Sequence, residues 1–84
     1  KRTSEFTETS VPDALRKDHS TKSGVWAKIR VMEGKLRYRI QALNVDVELS
    51  PDKLGIVVPE VLHNVEPLGP VRFFVEFYRA PDKQ

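Results

Sequence analysis

The chain has 84 residues, 39% of them hydrophobic, with no Cys, two His, and 14 Lys and Arg against 12 Asp and Glu. That length fits one domain with a thin core, since so small a domain buries only about 60% of its unfolded surface; disulfides, thiol nucleophiles and Cys-based zinc sites are excluded. A formal charge of +2 spread over 31% charged residues is not the concentrated basic patch of a dedicated nucleic-acid binder, and no apolar run approaches the ~20 residues of a membrane-spanning helix.

Residues 1–10 are polar and rich in Thr and Ser around a single Phe6, and are expected to form an arm or a short edge strand. Residues 11–18 are the one helical candidate, with Pro12 suited to a first helical position and Leu15 as anchor. A polar loop, His19-Ser20-Thr21-Lys22-Ser23-Gly24, follows. The period then changes to two. Val25, Ala27, Ile29 and Val31 alternate with Trp26, Lys28, Arg30 and Met32, which predicts a strand with one apolar face. Glu33-Gly34 predicts a tight hairpin, because Gly accepts the positive φ that such turns need. Leu36, Tyr38, Ile40 and Ala42 then alternate with Lys35, Arg37, Arg39 and Gln41 as a second strand.

A third strand is expected over residues 45–49, followed by a turn at Ser50-Pro51-Asp52-Lys53. Gly55-Ile56-Val57-Val58 has the composition of a buried strand, broken by Pro59-Glu60. His63 and Val65 alternate with Asn64 and Glu66, and Pro67-Leu68-Gly69-Pro70 predicts another turn. The last strand runs from Val71 to Tyr78, with Val71, Phe73, Val75 and Phe77 on one face and Arg72, Phe74, Glu76 and Tyr78 on the other; residues 80–84 form a polar tail. Six or seven short strands at regular spacing predict an all-β sandwich or barrel in a single domain over residues 1–84. A dinucleotide-binding βαβ fold is excluded, since no long helix exists for the crossover. No signal-peptide pattern opens the chain, and the lack of Cys fits a cytoplasmic location. The chain opens on Lys1 without Met, as a trimmed chain does.

Two segments carry a family signature. Val31-Met32-Glu33-Gly34-Lys35-Leu36-Arg37-Tyr38 resembles the hairpin that closes the first cupin motif. Val58-Pro59-Glu60-Val61-Leu62-His63-Asn64-Val65-Glu66 resembles the second, in which a Pro-containing turn precedes an inward His. Together with His19 to Lys22, Gly24-Val25-Trp26 and Phe73-Phe74-Val75-Glu76-Phe77, these segments resemble the cupin-like domains of tellurite-resistance protein B and its relatives. The resemblance covers residues 11–79. It implies a double-stranded β-helix, a small conical β-barrel with one short N-terminal helix, and a link to tellurite or oxyanion stress. Some members carry this domain ahead of an S-adenosylmethionine-dependent methyltransferase, which 84 residues have no room for.

The first cupin motif supplies two His and a Glu to a metal. Here its Glu position falls on Ala27 and its His positions fall among residues 20–23, none of which is His, so a three-His-one-Glu cage is not available. The candidates that remain are His63, His19 and Glu76. Two imidazoles and a carboxylate would make a facial triad for a divalent transition metal, Zn or Fe. Glu66 and Glu60 are the rival carboxylates. The alternatives are a barrel-mouth His63 bonded to backbone, a His19 that caps the short helix, and a Glu76 paired across strands with Arg30 or Arg39.

Any enzyme activity would then be metal-assisted, with Glu76 as third ligand or acid/base and Arg30 or Arg39 holding an anionic substrate. Trp26 and Tyr38 join these arginines as expected ligand contacts. Without metal, the barrel is expected to hold an oxyanion or a small metabolite. A third reading uses Lys28, Arg30, Lys35, Arg37 and Arg39, with Trp26, as a basic stripe on the hairpin that grips a phosphate backbone. Pairing of those cations with Asp46 and Glu48 is favoured over it, because opposite charges are the expected cross-strand neighbours. Phe74 and Tyr78, on the polar side of the last strand, call for a cover: the N-terminal arm or a second subunit in a homodimer.

Overall fold

A computed structural model describes residues 1–79; the tail expected over residues 80–84 lies outside the described residues. The protein is mostly antiparallel β-sheet with almost no helix. In chain order, β1 (Phe6–Thr7) precedes α1 (Asp13–Arg16), a single turn with Pro12 at its N-cap. Then come β2 (Val25–Ile40), a 3-10 turn over Gln41–Leu43, β3 (Val45–Leu49), β4 (Gly55–Val57) and β5 (Asn64–Arg79). No helix among the described residues is long and apolar enough to cross a membrane.

The predicted hairpin at Glu33-Gly34 and the predicted turn over residues 67–70 are both absent. Each expected pair of strands is one strand of 16 residues, and these two strands, β2 and β5, pair with each other from Val25↔Arg79 to Arg39↔Asn64. β2 is the shared central strand. Along its other edge, β4 pairs residues 27–29 and β3 pairs residues 36–40. The expected inward position of Ala42 is lost to the 3-10 turn, where residues 41–44 are exposed.

The physical reason lies in charge and register. A two-residue hairpin at Glu33-Gly34 would set Arg30 against Arg37 and Lys28 against Arg39, and like charges directly opposite are destabilising. The observed register instead sets Lys28 against Glu76, Arg37 against Glu66 and Glu48, and Arg39 against Asp46. The reversal of hydrophobic parity between Val31 and Leu36, which reads as a turn, is produced by bulges between Val31 and Glu33 and between Gly34 and Leu36. A bulge admits an extra residue and bends the strand. Ala27, Ile29 and Val31 therefore share one core with Leu36, Tyr38 and Ile40. Pro67 and Pro70 lie in the bulged part of β5, a position that tolerates a missing backbone donor. Gly34 has φ +80°, and a Cβ there would stand 2.1 Å from the Pro70 carbonyl oxygen on the facing strand.

The core is completed by Leu49, Val57, Val65, Val71 and Phe73, with Val11 from the N-terminal segment. Of the two outward aromatics of β5, Phe74 is covered by the arm: the Arg2 guanidinium stacks 3.7 Å from its ring centre. Tyr78 stays 43% exposed, opposite the equally open Trp26.

Candidate functional site

The inward-facing residues of β2, β4 and β5, with the arm and α1, leave a cavity of about 410 Å³, within the range of small-molecule sites. Val25, Ala27 and Ile29 of β2 line it together with Val65, Phe73 and Val75 of β5, Ile29 and Val75 being direct neighbours across the strands. Val57 of β4, Phe6 of the arm and Leu15 of α1 add further apolar surface. Polar groups gather at the segment from His19 to Lys22 and at His63.

The sequence builds the histidine pair through two loops. Pro59 ends the apolar run after Val58, and Glu60 turns the chain with φ +66°. His63 then enters the β5 edge, where it pairs with His19 as an isolated antiparallel bridge. The His19 amide donates to the His63 carbonyl at 3.0 Å and the His63 amide donates to the His19 carbonyl at 2.8 Å. The Glu60 amide, donating to the Thr21 carbonyl at 3.1 Å, extends the same junction. Main-chain bonds thus fix the spacing of the two rings, whose centres are 4.2 Å apart at a tilt of 57°.

Each ring is also fixed in tautomer. His19 Nδ1 lies 3.0 Å from the Lys17 carbonyl oxygen and His63 Nδ1 lies 3.1 Å from that of Val61. A carbonyl oxygen only accepts, so each Nδ1 carries a proton, and in the neutral ring each Nε2 presents a lone pair. Among the described residues neither Nε2 has a protein partner. His63 is 4% exposed. Burial is the main force that lowers its pKa; the bond to the Val61 carbonyl opposes it, the nearby His19 charge adds to the lowering, and Asp18 opposes it.

That lowering gives a pH dependence with a definite sign. The folded state binds the His63 proton less tightly than the unfolded chain, whose imidazole titrates near its ordinary value of 6.5. The contribution to stability is therefore full above that value and is lost as pH falls through the lowered folded value. Melting curves between about pH 7.5 and about pH 5 should show a fall in midpoint that is smaller in His63→Leu. Equal falls in the two proteins would rule out His63 as the source of the pH dependence.

The other predicted site residues do not reach the cavity. Tyr38 is a core residue. Its hydroxyl donates to the Ile56 carbonyl at 2.8 Å, its ring meets His63 edge-on at 5.8 Å between centres, and burial pushes its pKa up to about 12. It backs the histidine rather than lining the cavity. Glu76, expected as third metal ligand, projects from the opposite face of β5. It accepts from Arg30 Nε at 2.5 Å and from the Tyr78 hydroxyl at 3.0 Å. The Arg30 bond chiefly holds its carboxyl below the usual carboxylate range, with Tyr78 and the charges of Arg30 and Lys28 helping against desolvation. Of the three expected ligands, His19 and His63 meet, and Glu76 lies on the other face of β5. Among the described residues no three His, Asp or Glu side chains gather as a metal set.

Arg30, Arg39 and Trp26 share that outer face, since strand neighbours of inward residues point away from the core. Arg39 donates to Asn64 Oδ1 at 2.9 Å and to Glu66 at 3.2 Å. Arg37 clamps Asp46 through two bonds of 2.9 and 2.7 Å, and Lys35 approaches Glu48 at 3.7 Å. The basic residues of β2 are interleaved with carboxylates rather than forming a stripe. Sequence reasoning missed the cavity's arm wall and its neighbours Thr21 and Lys22. The available signal was Phe6, a large apolar residue isolated in a polar segment.

The architecture is shared with known proteins. The TehB-like domain matches residues 1–75. The chain is 32% identical over 69 residues to a protein of Haemophilus influenzae strain Rd, described as a probable S-adenosyl-L-methionine-dependent methyltransferase, TehB. A second strain's protein of the same description is 30% identical. Each match covers 76% of this chain and 24% of the relative, so the chain spans about a quarter of their length. The crystal structure of TehB from H. influenzae superposes with a TM-score of 0.84 at 26% identity, over 94% of this chain and 30% of that one. A crystal structure of a protein from Escherichia coli strain K12 shares the fold, with a TM-score of 0.88 at 21% identity, over all of this chain and 83% of that one.

Proposed function

The chain belongs to the TehB-like domain family, and on that premise we propose that it is a small-ligand-binding module of the tellurite-resistance type, with the cavity beside His19 and His63 as its site. The observation that carries this reading is the coincidence of two features. An apolar cavity of about 410 Å³ meets two imidazoles whose tautomers are set by backbone carbonyls and whose Nε2 atoms have no partner among the described residues. Largely apolar pockets with a few convergent polar groups are the usual form of a small-molecule site. The bent course of β2 and β5 around that cavity also supports a cupin-like, barrel-type description of the sheet.

A metal is the alternative occupant. The two Nε2 atoms are suitable donors for Zn or Fe, but a third protein donor is needed to make the facial set, and Glu76 does not supply it. The small-molecule reading therefore fits the residues better. The methyltransferase activity in the relatives' names belongs to chains of which this one spans 24%. The module's part in such a protein would be to hold a ligand, in a role tied to tellurite or oxyanion stress.

The test is a fragment screen by amide NMR. Binders should shift the signals of Ile29, Val57, Val75 and His63, and Val75→Phe, which narrows the cavity, should weaken them. Binders that shift only the Trp26 and Tyr78 face, or no binders at all, would overturn the reading.

A further inference from the structure

The cavity's polar end has a chemical preference that can be derived from its hydrogen bonds, given that the cavity is a ligand site as proposed above. We propose that it takes an uncharged, mostly apolar molecule whose head is a hydrogen-bond donor, of the phenol or alcohol class. With Nδ1–H of His19 held by the Lys17 carbonyl and Nδ1–H of His63 held by the Val61 carbonyl, the two rings in their neutral form offer acceptors only. An acceptor pair selects a donor, because an acceptor head would leave two lone pairs facing lone pairs. A neutral hydroxyl donates its proton to one Nε2 and carries no charge into the apolar cavity.

Charge is disfavoured in both directions. A cationic head would need a carboxylate, and among the described residues no Asp or Glu lines the cavity. Asp18, next to His19 in the chain, already accepts from Asn64 Nδ2 at 2.7 Å. An anionic head would meet the lone pairs of the neutral imidazoles, and among the described residues the one charged lining group, Lys22, belongs to an exposed residue of the loop. The remaining ionisable neighbour, Tyr38, keeps its own proton on the Ile56 carbonyl. The body of the ligand is set by the wall: Phe6, Phe73 and Phe77 with Val57 and Val75 suit a flat ring.

Four probes of one shape separate the possibilities: toluene, para-cresol, para-toluate and para-methylbenzylammonium, titrated near neutral pH and followed by amide NMR. Para-cresol should bind about five-fold more tightly than toluene, as one neutral hydrogen bond provides, and both ions should bind more weakly than toluene. His63→Leu, and independently His19→Leu at the less buried position, should reduce the para-cresol advantage. Para-cresol no tighter than toluene, either ion binding more tightly than para-cresol, or an advantage that survives both substitutions would each overturn the donor inference and leave the cavity standing as a site. If none of the four binds, the site reading itself falls, and the inference with it.

Discussion

Gly34→Ala should all but abolish the folded state. Gly34 sits at φ +80°, where any residue with a Cβ is disfavoured by about 1–2 kcal/mol. The greater cost is steric. The added Cβ would lie 2.1 Å from the Pro70 carbonyl oxygen and 3.0 Å from Val71 Cα, both backbone atoms of the facing strand. Backbone of a paired strand has no rotamer to retreat into, so relief means separating β2 from β5 at the middle of their ladder. We expect a loss of at least about 4 kcal/mol, a large share of the stability of a small domain. That corresponds to a fall of roughly 20 °C in melting temperature for a chain of this size. The controls are Gly24→Ala and Gly69→Ala. Both sites have positive φ, +77° and +95°, yet a Cβ there meets nothing within 4 Å. They should lose only the conformational part, about 1–2 kcal/mol. A Gly34→Ala protein that melts within a few degrees of the Gly69→Ala protein would falsify the close approach as the cause.

Phe73→Ala should cost about 3–5 kcal/mol, the range for removing a fully buried aromatic. Phe73 is 0% exposed, sits opposite Val31 on β2 and opposite Phe6 on β1, and forms part of the cavity wall. Its ring packs on Phe6 with centres 5.6 Å apart. Residues 1–3 of the arm are tied separately to β5 by the Thr3–Val75 and Lys1–Phe77 main-chain bonds, but around Phe6 the ring contact adds to only two paired residues. Amide exchange near Phe6 and Thr7 should therefore quicken by more than global destabilisation explains. Denaturant unfolding gives the first quantity and native-state exchange the second. A loss of under about 1 kcal/mol, or an arm that keeps its protection, would show that Phe73 is not the anchor.

These residues also show which parts of the fold are visible in sequence. The inward face of β2, from Val25 to Ile40, is legible because alternation has one physical cause, a half-buried pleat, and burial follows it residue by residue. Chain direction is not legible from alternation. A hairpin and a bulge reverse parity alike, and Glu33-Gly34 suits either. What decides between them is non-local: only pairing with β5, more than 25 residues away for most of its length, sets Lys28 opposite Glu76 and brings Arg30 to the same carboxylate. The repulsion of Arg30 by Arg37 in a hairpin register is the part of that choice that the sequence alone carries.

The site divides the same way. His63 is legible because a Pro turn and alternation with Val65 aim it inward, and His19 because it precedes the first strand's loop. Their backbone bridge is not legible, since it joins segments 44 residues apart. Placing Glu76 with the imidazoles runs against its own pattern. Phe73 and Val75 face inward, so Glu76 faces out, where Arg30 is its partner across the strands.

The course of β2 against β5 also has a kinetic meaning. Their ladder is nested: Arg39↔Asn64 closes the shortest loop and Val25↔Arg79 the longest. Loop closure is least costly at the inner end, so pairing starts beside β3 and zips outward past Gly34. Substitutions around Tyr38 and Val65 should slow folding, while those around Ala27 and Phe77 should chiefly hasten unfolding. A ladder this non-local puts the protein among slow two-state folders, in the millisecond-to-second range. The cavity, enclosed largely by the outer half of the ladder and by the arm, is then the last part of the molecule to form and the first to open.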